Sequence, residues 1–335
     1  MNTYVTYFDA AYAARARVMI ESLRAAGDAQ RVVAVCFDDS AQQLCASWLI
    51  DKVDAVSIDD VVASFPLLTE VRAERSRAEW FFTCTPWVMR YVCDDLSEGE
   101  WLTYLDADLV FHANPQPVFD EMGVGDAGII EHRFRADQQS LERFGRYNVG
   151  WVSIRNSRHG RRLLRWWADR CVEWCSDTPR GGLFADQGYL NHFEVVIPTV
   201  HVISNPGANL APWNLDSHAV SEAQDGSVLV DGVALLFFHA HGLRLHDNSY
   251  YAMHRRFGTS ANQAVRDRVY APYVHALVRA GDASSPSAAV RGRGVRGVAA
   301  RMRRRWHYSQ SRADGDVWTA LDTGFTTEVA ESTAE

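Results

Sequence analysis

Between residues 4 and 105, short β-prone apolar runs alternate with helix-length amphipathic segments. This alternation narrows the possible folds more than any other feature of the chain. Parallel strands cannot be joined by a tight turn, because each crossover needs a dozen or more residues, usually a helix. Residues 4–8, 31–37, 53–58 and 100–105 read as strands. Between them, 11–26 reads as a helix ended by Gly27, and 40–50 as a helix capped by Ser40. Residues 68–94 read as mostly helical and broken near Pro86. The expectation is an α/β protein with a mostly parallel central sheet flanked by helices.

The second half is more mixed. Residues 127–130 and 149–154 predict strands, 161–174 an amphipathic helix, and 184–193 a short helix. Residues 228–238 predict two strands joined at Asp231-Gly232, a hairpin signal. Composition changes near Gly281, so we divide the chain into a main domain, 1–258, and a C-terminal helical extension, 259–335. Ser284-Ser285-Pro286-Ser287 reads as a linker, followed by a basic segment, 291–305, rich in arginine. Val295, Val298, Met302 and Trp306 fall at helical spacing there, which suits peripheral contact with an anionic membrane. Gly292, Gly294 and Gly297 weaken the helix and leave a solvated tail as the alternative. Residues after Ser311 are acidic and small, and low order is expected of them.

Bulk properties exclude several classes. A net charge of −8 argues against a dedicated nucleic-acid binder. The cysteines at 36, 45, 84, 93, 171 and 175 form no Cys-x-x-Cys pair and read as reduced, packed thiols. The chain opens directly into a strand-like run, and no apolar stretch approaches the roughly 18 residues of a membrane span. A cytoplasmic protein, in contact with a membrane at most peripherally, is therefore expected. Lys52 is the single lysine and lies upstream of every motif below. A phosphate loop ending in Lys-Ser/Thr is thus absent, and a Schiff-base enzyme would have to use Lys52.

The strand at 100–105 ends in Asp106-Ala107-Asp108. In an extended segment alternate side chains point the same way, so the two carboxylates converge on one point. That is unfavourable unless something positive sits between them, and hard divalent cations prefer oxygen ligands. Four later segments also carry polar groups next to apolar runs: Tyr147-Asn148-Val149-Gly150-Trp151, Ala185-Asp186-Gln187-Gly188, Leu210-Ala211-Pro212-Trp213-Asn214 and Phe238-His239-Ala240-His241-Gly242-Leu243-Arg244. Each alone has a structural explanation, as a cap, a turn or a packed anchor.

Together and in this order, over roughly residues 4–244, they resemble the retaining glycosyltransferases of the GT-A fold, particularly family 8. The resemblance implies a GT-A, nucleotide-diphospho-sugar transferase architecture. It implies that Asp106, Asp108 and His239 hold Mn²⁺ or Mg²⁺, with His241 the rival imidazole on the same side of an extended strand. It implies that Asn148 and Asp186 hold sugar hydroxyls, while Gln187 stabilises positive charge through its carbonyl oxygen. Thr6, Tyr7, Phe8, Asp9 and Tyr12 would hold the nucleotide base, and Gly242 and Arg244 the diphosphate. Two departures stand out: Gly188 replaces a third acid, and Leu243-Arg244-Leu245 replaces a Lys-Pro-Trp run. The implied reaction is metal-dependent sugar transfer from a nucleotide sugar, UDP-linked by the resemblance, with retention. The acceptor would be a carbohydrate, lipid-linked or natural-product hydroxyl, with Trp213 and Tyr250-Tyr251 as candidates to line its cleft. The alternative is a catalytically silent module that binds nucleotide sugar or carbohydrate.

Overall fold

The structure, a computed structural model, describes residues 2–282 and 295–319, with side chains from 302 onward in the last stretch. The chain enters as β1 (Asn2–Phe8), crosses through α1 (Ala13–Ala25) to β2 (Arg31–Cys36), and through α2 (Asp39–Ser47) to β3 (Val53–Ser57). It returns through α3 (Ile58–Ser64), α4 (Leu67–Glu74) and α5 (Arg77–Cys93) to β4 (Trp101–Leu105). Then come β5 (Leu109–Phe111), α6 (Gln116–Met122), β6 (Ala127–Glu131), β7 (Tyr147–Arg155), α7 (Arg158–Glu173), α8 (Phe193–Val196) and β8 (Val200–Ile203).

Seven strands form the central sheet in the order β3-β2-β1-β4-β7-β6-β8. Only β7 is reversed, running antiparallel to both β4 and β6. Alternation along β1 shows how the sheet is covered on both sides. Tyr4 packs with Met19, Ile20 and Leu23 of α1, whereas Val5 packs with Trp87, Val88 and Val92 of α5. The mostly parallel α/β sheet expected from the alternating pattern is present. Because β7 alone is reversed, its beginning lies at the same edge as the ends of β1, β4 and β6.

Local signals explain where the expectations moved. Helix α2 is capped by Asp38, not Ser40, with the Asp38 carboxylate accepting from the Ala41 N–H at 2.8 Å. The helical stretch breaks at Arg75-Ser76 and not at Pro86. Ser76 and Glu79 form a reciprocal capping box that starts α5 afresh. Pro86 sits inside α5, where the lost hydrogen bond costs about 3 kcal/mol; Thr85, Trp87 and Val88 around it are buried, and that packing offsets the loss.

The remaining strands are short. They are β9 (Ala208–Leu210), β10 (Val220–Glu222), β11 (Val228–Val230), β12 (Val233–Ala234), β13 (Phe237–His239), β14 (Arg244–His246) and β15 (Ser249–Tyr251). The expected hairpin at Asp231-Gly232 exists, but its second arm is only β12. The chain then leaves for β13, which pairs antiparallel with β5 and parallel with β9. A π-helical turn, Val265–Tyr270, leads into α9 (Ala271–Arg279). Val265, Val269, Tyr273 and Leu277 pack with Val18, Val110 and Phe238 in one apolar cluster.

The chain is described again as α10 (Val295–Asp314) and β16 (Val317–Thr319). β16 pairs with β15, so low order directly after Ser311 was the wrong expectation. Asp316 is the reason: its carboxylate meets His254 and Arg266 inside the fold. The proposed linker at 284–287, Arg291, Arg293 and the tail beyond 319 lie outside the described residues. Among the described residues, no helix is long and apolar enough to cross a membrane.

Candidate active site

The site is assembled where β1, β4 and β6 end. Asp106 follows β4, its N–H donating to the Gly150 carbonyl at 3.0 Å. His239 closes β13 and is registered opposite Leu109 in β5, while the Ala240 N–H donates to the Asp108 carbonyl at 2.9 Å. Backbone pairing thus fixes a histidine from late in the chain beside two carboxylates from its first third. His239 Nε2 lies 3.1 Å from Asp108 Oδ1 and 3.5 Å from Asp106 Oδ2. The second Asp106 oxygen accepts from the Tyr104 hydroxyl at 2.8 Å.

The orientation of His239 is set from behind. Asn148 Oδ1 accepts from the Gly150 N–H at 3.2 Å, so the oxygen of that amide faces this way. It also lies 3.2 Å from His239 Nδ1, which must therefore carry the proton. Nε2 faces the carboxylates, buried and without a hydrogen-bond partner. Gly150 makes room for this arrangement. A Cβ there would come within 2.8 Å of the His239 ring and 2.7 Å of Asn148 Oδ1.

Electrostatics follow the geometry. Burial raises the Asp106 carboxyl, and the like charge of Asp108 adds to that, against the opposing pull of His239. Asp108 goes the other way: burial would raise it, but His239 more than compensates and holds it below the usual carboxylate range. Burial would lower His239, but Asp108 and Asp106 together outweigh it and raise the imidazole above its ordinary value.

Asp186 and Gln187 arrive on the turn before a short 3₁₀ helix, Gln187–His192. Asp186 is 1% exposed and both its oxygens lack a hydrogen-bond partner. Burial pushes its carboxyl up to about 7, with the Asp106 charge contributing. Gln187 does not present its carbonyl oxygen to open space as the resemblance implied. That oxygen accepts from the Val149 N–H at 3.1 Å and the Asn148 amide at 3.2 Å, while the Gln187 amide donates to the Phe144 carbonyl at 2.7 Å. Gln187 therefore fixes Asn148, which fixes His239.

The residues expected to hold a nucleotide base divide by strand parity. Phe8, 1% exposed and stacked on Trp48, offers no side chain to a ligand, while Thr6 is fully buried with its hydroxyl unmatched. Tyr7 faces the opposite side of β1, its hydroxyl 3.0 Å from Thr85 Oγ1 and its ring beside Tyr104 and Phe37. Asp9 is ion-paired with Arg77 and accepts from the Tyr12 N–H at 3.1 Å, and Tyr12 itself is exposed. Gly242 adopts φ +74°, a left-handed turn open to glycine. Arg244 is exposed at the start of β14.

One of the two expected acceptor surfaces is not available. Tyr250 and Tyr251 are fully buried: Tyr250 packs in the apolar cluster with Phe238 and Tyr270, and Tyr251 lies against Tyr308 of α10. Trp213, 3% exposed, is a wall of the site, its ring 5.1 Å from that of His239, 5.2 Å from that of His132 and 5.6 Å from that of His241. Three polar residues here were passed over in the sequence. Arg15, buried among the apolar positions of α1, donates to the Leu243 carbonyl at 3.0 Å. His132, directly after β6, places Nε2 3.4 Å from the Asn148 amide. Thr85 is buried beside Tyr7. For His132 a signal existed, a titratable residue directly after a predicted strand.

The donor set fits a divalent cation. Asp108, His239 and His241 each offer an atom within 4.8 Å of the others, and the buried Nε2 has no other partner. Asp106 stands beside them.

No family model matches the chain. It is 30% identical over 253 residues to the uncharacterized protein YfnF of Bacillus subtilis (strain 168), a match spanning 73% of this chain and 82% of YfnF. It is 27% identical over 265 residues to the uncharacterized protein YfnD of the same organism, spanning 78% and 84%. The chain belongs to the family of YfnF. Among solved structures it is similar to the galactosyltransferase LgtC in complex with donor and acceptor sugar analogs, with a TM-score of 0.46, 19% identity, and coverage of 72% of this chain and 87% of that one. It is also similar to mouse xyloside xylosyltransferase 1, with a TM-score of 0.45, 14% identity, and coverage of 72% and 98%.

Proposed function

We propose that this protein is a metal-dependent glycosyltransferase of the family 8 type, moving a sugar from a UDP-sugar to an acceptor hydroxyl with retention. One observation carries the reading: a buried imidazole nitrogen without a partner faces two carboxylates, next to a buried carboxylate whose oxygens are both unmatched. A fold does not leave such groups unpaired without loss, each costing about 1–3 kcal/mol. Bound cation and bound sugar hydroxyls would match them.

Asp106, Asp108 and His239 would hold Mn²⁺ or Mg²⁺, which when bound supplies Lewis-acid neutralisation of a diphosphate leaving group. Asn148 and Gln187 keep His239 in the tautomer that presents Nε2. Asp186 faces the sugar hydroxyls, and Gly242 lets the backbone approach the diphosphate, with Arg244 beside it as a permanent cation. Asp9 and Tyr12 border the nucleotide end. Residues 1–258 would carry the reaction, and 259–335 would extend it. The reading carries a cytoplasmic location, with exposed Met302 and Trp306 and flanking Arg303 and Arg305 of α10 as the surface that would meet anionic lipid.

A thermal-shift screen of sugar nucleotides with Mn²⁺, followed by assay of nucleotide release, tests this. The expected result is a concentration-dependent rise with a UDP-sugar only when Mn²⁺ is present, and slow release of UDP. Binding without release from any donor would make the protein a silent binding module.

A further inference from the structure

We infer that His241 is a ligand of the same cation, so that the site presents two imidazoles to the ion and selects transition metals over Mg²⁺. This rests on the metal-dependent reading above and goes beyond it by choosing the ion class.

The backbone makes the case first. His239 and His241 flank Ala240, whose N–H is bonded to the Asp108 carbonyl at 2.9 Å. β13 ends at His239, and the Leu243 N–H donates to the Ala240 carbonyl at 3.3 Å, so His241 sits on the tight turn that follows and its ring comes back toward Asp108. One donor atom from each of Asp108, His239 and His241 lies within 4.8 Å of the other two, a separation that a single ion can bridge. The ring centroids of the two histidines are 5.7 Å apart at 86°, so the rings are not stacked on each other.

Packing holds His241 there. Trp213 touches both imidazoles edge to face, at 5.1 and 5.6 Å, and Phe257 lies 6.2 Å from His241 on a further side. His239 is buried, while His241 is exposed. Asp106 is the more distant carboxylate, with one oxygen occupied by Tyr104 and the other 3.5 Å from His239 Nε2. The three groups whose donor atoms gather within 4.8 Å are thus one carboxylate and two imidazoles, with Asp106 beside them. Imidazole nitrogen suits transition metals, whereas Mg²⁺ demands oxygen and gives up its waters reluctantly.

Calorimetric titration of the full-length protein with Mn²⁺, Co²⁺ and Mg²⁺, together with the visible absorption of the Co²⁺ form, tests the inference. His241→Ala should weaken Mn²⁺ and Co²⁺ binding by about 10–100-fold, a loss of the size seen when coordination is disturbed. It should also alter the Co²⁺ spectrum, while Mg²⁺ binding moves little. His241→Asp should narrow the gap between Mg²⁺ and Mn²⁺. Unchanged Mn²⁺ affinity and an unchanged Co²⁺ spectrum in His241→Ala, with Asp108→Asn still abolishing uptake, would overturn the role of His241 alone. Failure of the wild type to take up any of the three ions would overturn the metal reading along with it.

Discussion

Among the described residues, two buried histidine–aspartate pairs are finished differently. In the C-terminal pair, His254 Nδ1 meets Asp316 at 2.8 Å and Nε2 meets the Tyr270 hydroxyl at 2.9 Å. The other Asp316 oxygen receives Arg266 at 3.0 Å, and both its backbone groups are bonded, to Ser311 and Ala252. In the pair formed by His239 and Asp108, Nδ1 is equally well fixed, yet Nε2 has no bond and a second carboxylate crowds it. The first pair closes a structure, tying the strand after α10 to the body. The second holds a space open for a ligand. A buried ionisable pair becomes a functional candidate when its remaining valence points into shared space, and the same residue types are structural when every atom is matched.

Breaking each pair should separate the two roles. Asp108→Asn should remove transfer almost entirely, by about 10³-fold or more if the cation carries the leaving-group charge, while the melting temperature holds. Retained activity in that variant would dismantle the metal site. Asp316→Ala should do the opposite, destabilising the fold by about 3–5 kcal/mol because His254 and Arg266 lose their partner in the interior. Denaturant unfolding measures that loss, and Mn²⁺ affinity should be unchanged. A parallel loss of metal binding would mean the two regions are coupled.

Smaller changes sharpen the contrast. Gly150→Ala puts a methyl against Asn148 and His239, and should weaken Mn²⁺ binding by about 10-fold or more without unfolding the protein. Asp186 gives a pH signature. Its folded-state pKa of about 7 lies above the unfolded value of about 3.9. The folded protein thus keeps a proton that the unfolded chain has released, and this stabilisation is full below about pH 4 and lost as pH rises through about 7. Without ligand, wild-type stability should fall relative to Asp186→Asn by up to ~1.4 kcal/mol per pH unit across that window. Parallel stability curves would show that Asp186 is not held neutral. The smallest effect should come from Gln187→Ala, which loosens Asn148 at one remove from the ion. Turnover should fall several-fold while UDP affinity hardly moves, and a defect confined to UDP affinity would place Gln187 elsewhere.

How much of this was legible in the sequence follows from range. The central sheet was, because helix and strand periodicity are local and residues 4–105 obey them without interruption. So was the acidic pair, since Asp106 and Asp108 are neighbours at a strand end. Pro86 misled because burial around it overrides the usual break, and Ser40 because Asp38, two residues earlier, is the cap. Tyr250 and Tyr251 looked like cleft residues, but Tyr270 and, from much later in the chain, Tyr308 of α10 cover them. Arg15 had no local mark to set it apart, and His132 only its place just past a predicted strand. Their roles exist only once Leu243 and Asn148 are folded against them.

The most direct measurement is an anomalous difference map from crystals grown with Mn²⁺ and UDP. A single strong peak bounded by Asp108 and His239, with the diphosphate against it, is the predicted result. A map with no peak at that corner, or with manganese held elsewhere while UDP binds, would contradict the account.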